Sequence, residues 1–377
     1  MRPGKRTIMM QAAVALGVAI FLTGCSGFFT AITSNPTGTG STNYVYITNV
    51  SSTGTGGTLT AYSQTSGVLT ALSGSPYALT ATPTSLVVSP NNSFLYLGTN
   101  TGIFLYTIGT DGTLTLGNSS TVIYLNQNNP TVQSMAVDST NTWLIIANKG
   151  SSELDALPID ATTGIPASNT PVPLTLGSAT PQQVTIAPAN NNVFVAMAGN
   201  GVEAVSFTAT SSNPWGKSLV TVPVHKTNGS DNSVAVDTTS AYLFVGEATT
   251  NQLRVLTIAN LNTETDYATG AGPSAILPDK TGAYVYVANS TDGNITGYTL
   301  SAGALTVLAD APFSSSASPI GLAEDSTKTY VFSVGSGKTP NLWMYSFDAT
   351  TVGDLDVKTT TSTGSNPSLS NAIAVTH

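Results

Sequence analysis

The sequence predicts an all-β fold, a seven-bladed β-propeller. Three observations carry the prediction: a repeating four-strand unit, equal counts of two of its strands, and chain ends that complete each other. The clearest unit begins Pro273-Ser274-Ala275-Ile276-Leu277-Pro278, turns at Lys280-Thr281-Gly282 and continues Tyr284-Val285-Tyr286-Val287-Ala288-Asn289. It breaks at Asp292-Gly293-Asn294, resumes as Ile295-Thr296-Gly297-Tyr298-Thr299-Leu300, and passes Gly303 into Ala304-Leu305-Thr306-Val307-Leu308. Four short strands recurring every 40–50 residues or so, roughly, are the sequence form of a propeller blade.

The second strand of each unit can be counted. Seven segments align: Tyr44-Val45-Tyr46-Ile47, Phe94-Leu95-Tyr96-Leu97, Trp143-Leu144-Ile145-Ile146, Val193-Phe194-Val195-Ala196, Tyr242-Leu243-Phe244-Val245, Tyr284-Val285-Tyr286-Val287 and Tyr330-Val331-Phe332-Ser333. These runs are nearly continuously apolar, as strands covered on both faces are, and rich in β-branched and aromatic residues. Inner strands begin near Pro83, Pro130, Pro181, Asn232, Pro273, Pro319 and Pro367. A proline at the first residue of a strand removes no ladder hydrogen bond. The Tyr44 strand lacks an inner strand before it, and the segment from Pro367 to Thr376 lacks a blade after it. The C-terminal strand is therefore expected beside the Tyr44 strand, closing the ring and removing two exposed edges. Gly67, Asp111-Gly112, Gly164 and Gly303 sit between third and fourth strands, where hairpins need positive φ. A β-sandwich would have left an unmatched strand. No amphipathic helix is evident in residues 43–377, which form the predicted propeller domain.

The chain opens with the basic Met1-Arg2-Pro3-Gly4-Lys5-Arg6, followed by an apolar stretch from Ile8 to Leu22 and then Thr23-Gly24-Cys25. This resembles a bacterial lipoprotein signal, in which residues 1–24 are removed and Cys25 carries the lipid. The apolar run is shorter than the ~20 residues of a spanning helix, and Gly17 and Gly24 interrupt it. Residues 25–42, rich in Ser, Thr, Gly, Asn and Pro, read as a flexible tether. Ser26 after the cysteine resembles outer-membrane sorting, and the expected location is the cell envelope, lipid-anchored, in the outer membrane or facing the periplasm.

Composition narrows the chemistry. Cys25 is the only cysteine, which excludes a disulfide, a cysteine-based zinc site and a cysteine nucleophile. Charged residues form 8% of the chain, against about 25% in an average domain. Ser, Thr, Asn and Gly must cover the surface instead. The net charge of −8 and the lack of a basic patch argue against nucleic acid. No HExxH, paired histidines or phosphate-cradling glycine loop is present, and Asp292-Gly293-Asn294 lacks the further acidic ligands of a calcium loop. No metal and no cofactor are expected, and a closed ring predicts a monomer.

The units Pro273-Ser274-Ala275-Ile276-Leu277-Pro278…Tyr284-Val285-Tyr286-Val287-Ala288-Asn289 and Pro83-Thr84-Ser85-Leu86-Val87-Val88-Ser89-Pro90…Phe94-Leu95-Tyr96-Leu97 resemble the YVTN-type repeat. That repeat occurs in the seven-bladed propellers of the lactonase family, which includes cycloisomerase-type 6-phosphogluconolactonases. The resemblance covers roughly residues 43–377 and implies a propeller fold and, by association, lactone hydrolysis, although one fold hosts many functions. Such lactonases typically carry His, Glu and Arg in the loops of one face and often a histidine opening an inner strand. This chain has two histidines: His377 and His225, the latter a few residues before an inner strand. The inner-strand starts carry Thr84, Thr131, Gln182, Ser274, Ile320 and Ser368 instead.

The scarce charges gather on one side of the predicted ring. Around blades four and five, one face would hold His225, Lys226 and Asp231 in an inter-blade loop, Glu247 at the end of a second strand and Arg254 at the start of a third. As a catalytic set, His225 or Glu247 is a general base, while Arg254 and Lys226 hold the carboxylate or phosphate of a lactone. Lys226, Asp231 and Trp215, the last in the turn Asn213-Pro214-Trp215-Gly216, are candidate ligand contacts. The structural alternative pairs Arg254 with Glu203 of the neighbouring blade or with Glu247 across its own hairpin, because charges cannot be buried singly. Two functions follow. The first is an envelope binding scaffold for a protein, peptide or carbohydrate; the second is a lactonase-like hydrolase opening a sugar lactone. Convergence of these side chains on a concave pocket favours the hydrolase, and mutual pairing favours the scaffold.

Overall fold

Seven separate antiparallel sheets make up the computed structural model, which describes residues 42–123, 131–167, 171–177, 179–364, 366–367 and 371–377. The expected signal, Cys25 and most of the tether lie outside the described residues, as do Pro130 and Ser368. Blades are numbered from the N-terminus. Blade one contains Asn43–Val50, Gly57–Thr65 and Val68–Ala71. Asn43–Val50 pairs on its other side with the C-terminal Asn366–Pro367 and Ile373–Val375, in the register Val45↔Val375 and Ile47↔Ile373. Inner strands of the other blades are Pro83–Val88, Val132–Val137, Gln183–Ile186, Asp231–Val236, Pro273–Pro278 and Pro319–Glu324. Each is followed by its second, third and fourth strands in simple meander order. One 3₁₀ turn, Asn118–Ser120, is the only helical element among the described residues.

The apolar second strands are buried because each blade is covered by two neighbours. The core accordingly divides into seven clusters, each drawn from two adjacent blades. Tyr46, Leu59, Leu86 and Leu95, for example, join blades one and two. Ile47, Ile373, Phe332 and Met344 join blade one to blade seven.

The aromatic pattern of the second strands has a specific job between blades. Its first aromatic ring lies on the glycine of the next blade's third-to-fourth hairpin. Tyr44 meets Gly112, Phe94 meets Gly164, Tyr242 meets Gly303 and Tyr284 meets Gly353. These glycines have φ of +78°, +69°, +82° and +95°, and a Cβ on any of them would fall within 2.1–2.5 Å of the ring. Both the left-handed backbone and the close approach require glycine. The second tyrosine of the pattern then donates its hydroxyl to the same glycine's carbonyl: Tyr46 to Gly112 at 2.8 Å, Tyr96 to Gly164 at 2.8 Å and Tyr286 to Gly353 at 2.6 Å.

An aspartate closes the turn after four inner strands. Asp138, Asp237, Asp279 and Asp325 are buried, and each accepts the backbone N–H groups four and five residues on, as Asp279 does from Ala283 and Tyr284. A threonine two residues on donates its hydroxyl to the same carboxylate. Ser89 takes part of this role in blade two, accepting from the Phe94 N–H. Side chains that accept local backbone N–H groups hold such turns.

Candidate functional site

Blade five carries Asp231, Glu247 and Arg254 on its first, second and third strands, and the loop leading into it carries His225 and Lys226. Asp231 opens the inner strand and pairs with Glu247 at the end of the second. Arg254 lies opposite Val245 on one side and Asp266 on the other. Asp231 is thus a buried strand residue, not the loop ligand expected from sequence, and Arg254 is the third residue of its strand, Gln252–Thr257.

Arg254 is 1% exposed, with Asp231 and Glu247 at 0%. Its Nη1 lies 2.9 Å from Asp231 Oδ2 and 3.6 Å from Glu247 Oε1. Nη2 reaches Glu264 Oε2 at 2.5 Å and donates to the Pro223 carbonyl at 3.2 Å. Glu247 Oε1 accepts the backbone N–H of His225 at 3.1 Å, and its Oε2 accepts the Thr250 hydroxyl at 2.6 Å. The loop is held further by Ala248 N–H donating to the Ser230 carbonyl and Thr249 Oγ1 to the Asn228 carbonyl. Gly229 packs so closely that a Cβ would sit 3.2 Å from Glu247 Oε1. Glu247 and Arg254 are therefore positioning groups for residues 223–230.

What that loop presents is His225 and Lys226, 39% and 42% exposed. His225 Nδ1 lies 2.6 Å from Asp266 Oδ2, and Lys226 Nζ lies 3.1 Å from the same oxygen. Burial would raise the Asp266 carboxyl, but hydrogen bonds and charge from His225 and Lys226 bring it below its ordinary value. Asp231 moves the other way. Burial, reinforced by Glu247 and Glu264 and opposed by Arg254, pushes it up to about 7. Burial is the largest cause, and the guanidinium offsets it only in part.

The remaining expectations resolve similarly. Glu203 does not meet Arg254; both of its oxygens accept the Thr221 hydroxyl, at 2.9 and 3.0 Å. The Glu247–Arg254 approach is present. Trp215 is not an exposed turn contact: it opens the fourth strand of blade four, half-buried, with Nε1 donating to the Val172 carbonyl at 2.8 Å and its ring edge-on to Phe207. Asp292-Gly293-Asn294 is a hairpin turn in which Asp292 Oδ2 accepts the Ala271 N–H at 2.7 Å. Sequence reasoning missed Glu264 and Asp266. Their alternation in Thr263-Glu264-Thr265-Asp266 puts both on one strand face, a signal that was there to be read.

The central channel is divided by Asn371. Its Nδ2 donates to Ser134 Oγ at 3.1 Å, and its Oδ1 accepts from Gln183 Nε2 at 3.0 Å. Where the inner strands begin, a void of about 50 Å³ is lined by neutral Gln183, Asn232, Ser274 and Asn371. Where they end, a chamber of about 260 Å³ is lined by Lys280, Glu324 and His377 among aliphatic side chains. His225, Glu247 and Arg254 line neither.

Residues 44–199 match the family described as lactonase, 7-bladed beta-propeller. The chain is a seven-bladed propeller, similar over those residues to that family. Solved structures repeat this fold at low identity. The periplasmic gluconolactonase of Pseudomonas aeruginosa superposes with a TM-score of 0.71 at 14% identity, covering 87% of this chain and 98% of that one. A 6-phosphogluconolactonase-like protein of Bacteroides fragilis gives 0.68 at 12%, covering 89% and 97%, and a Lactobacillus plantarum protein 0.69 at 17%, covering 89% and 99%. No curated protein matches the chain by sequence. At such identities these likenesses concern the propeller fold alone and carry no residue roles.

Proposed function

We propose that this lactonase-type propeller is a binding scaffold of the cell envelope, held there through Cys25, and that its blade-five face recognises a ligand rather than hydrolyses one. The observation that carries the reading is the state of the Glu247–Arg254 pair. A lactone hydrolase needs a base with access to a bound water and a donor aimed at the developing oxyanion. Glu247 and Arg254 are sealed from solvent and engaged in fixing the loop that displays His225 and Lys226. The periplasmic location of the Pseudomonas aeruginosa neighbour supports an envelope setting, and no described helix is long and apolar enough to cross a membrane.

Lactone opening is the second reading, favoured by the family match and by that neighbour's gluconolactonase activity. Purified protein is to be assayed on a panel of sugar and aliphatic lactones, beside His225→Ala and Arg254→Met. Scaffolding predicts spontaneous rates throughout and a stability loss of about 3–5 kcal/mol in Arg254→Met, because its carboxylate partners are left uncompensated. Turnover that a folded His225→Ala variant loses would reverse the choice and make His225, oriented by Asp266, a general base.

A further inference from the structure

The chamber at the far end of the channel is lined by three ionisable residues that the blade-five network does not use, Glu324, Lys280 and His377, and the first two carry the argument. Glu324 ends the inner strand of blade seven and is 3% exposed. Its Oε2 accepts the backbone N–H of Lys280 at 2.6 Å, while the buried Oε1 has no hydrogen-bond partner. Lys280 follows the inner strand of blade six, and its Nζ donates to the Asp325 carbonyl at 3.2 Å. Both side chains line the chamber of about 260 Å³, together with Leu86, Val88, Met135 and Ile373. A buried carboxyl oxygen without a partner is costly to maintain, so a native fold that keeps one beside a cavity has a reason to be sought in what enters the cavity.

We propose that this chamber binds a small, uncharged, polyhydroxylated molecule of monosaccharide size, with one hydroxyl donating to Glu324 Oε1 and another accepting from Lys280 Nζ. The charges select for neutrality. An anionic ligand drawn to Lys280 would meet Glu324, and the buried carboxylates Asp279 and Asp325 nearby add to the repulsion. An ammonium ligand drawn to Glu324 would meet Lys280. A hydroxyl both donates and accepts, so it satisfies both groups without adding charge. The aliphatic lining suits the C–H faces of a sugar ring, and the volume lies below the about 300–1,000 Å³ usual for larger ligands. Burial raises Glu324 to about 7 and lowers Lys280. The inference does not depend on the reading of the 223–230 loop.

Titration of the intact protein with D-glucose, glucono-1,5-lactone, gluconate and glucose 6-phosphate, followed by protein NMR, tests it. Glucose or the lactone is expected to bind in the millimolar range or tighter, and gluconate and glucose 6-phosphate at least tenfold more weakly. Lys280→Met and Glu324→Gln, both nearly isosteric, are to be checked for folding by thermal unfolding. Lys280→Met is expected to weaken binding at least tenfold, and Glu324→Gln to narrow the preference for neutral over anionic probes. Absence of binding by both neutral probes, tighter binding of either anion, or unchanged affinity in folded Lys280→Met would each overturn the proposal. Lactone hydrolysis is followed in the same samples, so the fate of the chamber is decided separately from that of the scaffold reading.

Discussion

Arg254 serves three carboxylates at once: Asp231, Glu247 and Glu264 all lie within 3.6 Å of its guanidinium. Asp231 is nonetheless pushed to about 7, by burial first and by its acidic neighbours second. Between roughly pH 4, the unfolded value, and pH 7, the folded chain holds a proton that the unfolded chain releases. Unfolding free energy therefore falls as pH rises through that window. Thermal unfolding followed from pH 5 to 8 is expected to show a declining Tm, with a shallower decline in Asp231→Asn; an equal slope in that variant would place the retained proton elsewhere. At this scale the sequence was only half legible. Glu247 and Arg254 stood out because charges are so scarce, but Asp266 and Glu264 belong to an outer strand whose register against Arg254 depends on hairpin geometry. Glu324 and Lys280 gave no signal, because nothing in either segment says that two turns face one channel.

The strand repeat is where local sequence and packing agree best. The alternating aromatics of Tyr284-Val285-Tyr286 explain themselves once Gly353 is seen beneath them, with one ring on its Cα and one hydroxyl on its carbonyl. Gly353→Ala forces a side chain into the left-handed region and into the Tyr284 ring. The left-handed backbone alone costs about 1–3 kcal/mol, and the ring contact adds to it. Denaturant unfolding is expected to show a lower midpoint with an unchanged m-value; a midpoint equal to wild type would mean that the hairpin shifts freely. The turn glycines were readable in sequence as hairpin markers. Their second role, as seats for the neighbouring blade's aromatics, was not, because the two residues of each pair lie far apart in sequence, as do Tyr286 and Gly353.

Closure belongs to the whole molecule. Asn43–Val50 is completed by Ile373–Val375, and Ile373 and Val375 also sit in the core between blades one and seven. Truncation before Asn366 removes this strand, bares the hydrogen-bonding edge of Asn43–Val50 and opens that core. Exposed apolar edges of this kind template association. The truncated chain is expected to elute as aggregate in size-exclusion chromatography; a monomer with unaltered Tm would show that the ring does not need its last strand.

By itself the sequence determined the number of blades, the strands within them, the glycine turns and the expected pairing of the chain ends. These follow from short-range periodicity and turn chemistry, which adjacent residues encode. Tertiary structure alone decided which charges meet. It buried Glu247 and Arg254 beneath the His225 loop, set Trp215 between blades, split the channel at Asn371 and brought Lys280 beside Glu324. Such encounters depend on how blades stack around an axis, and the energy of a charge depends on its burial and its partners, neither of which is written in the order of neighbouring residues.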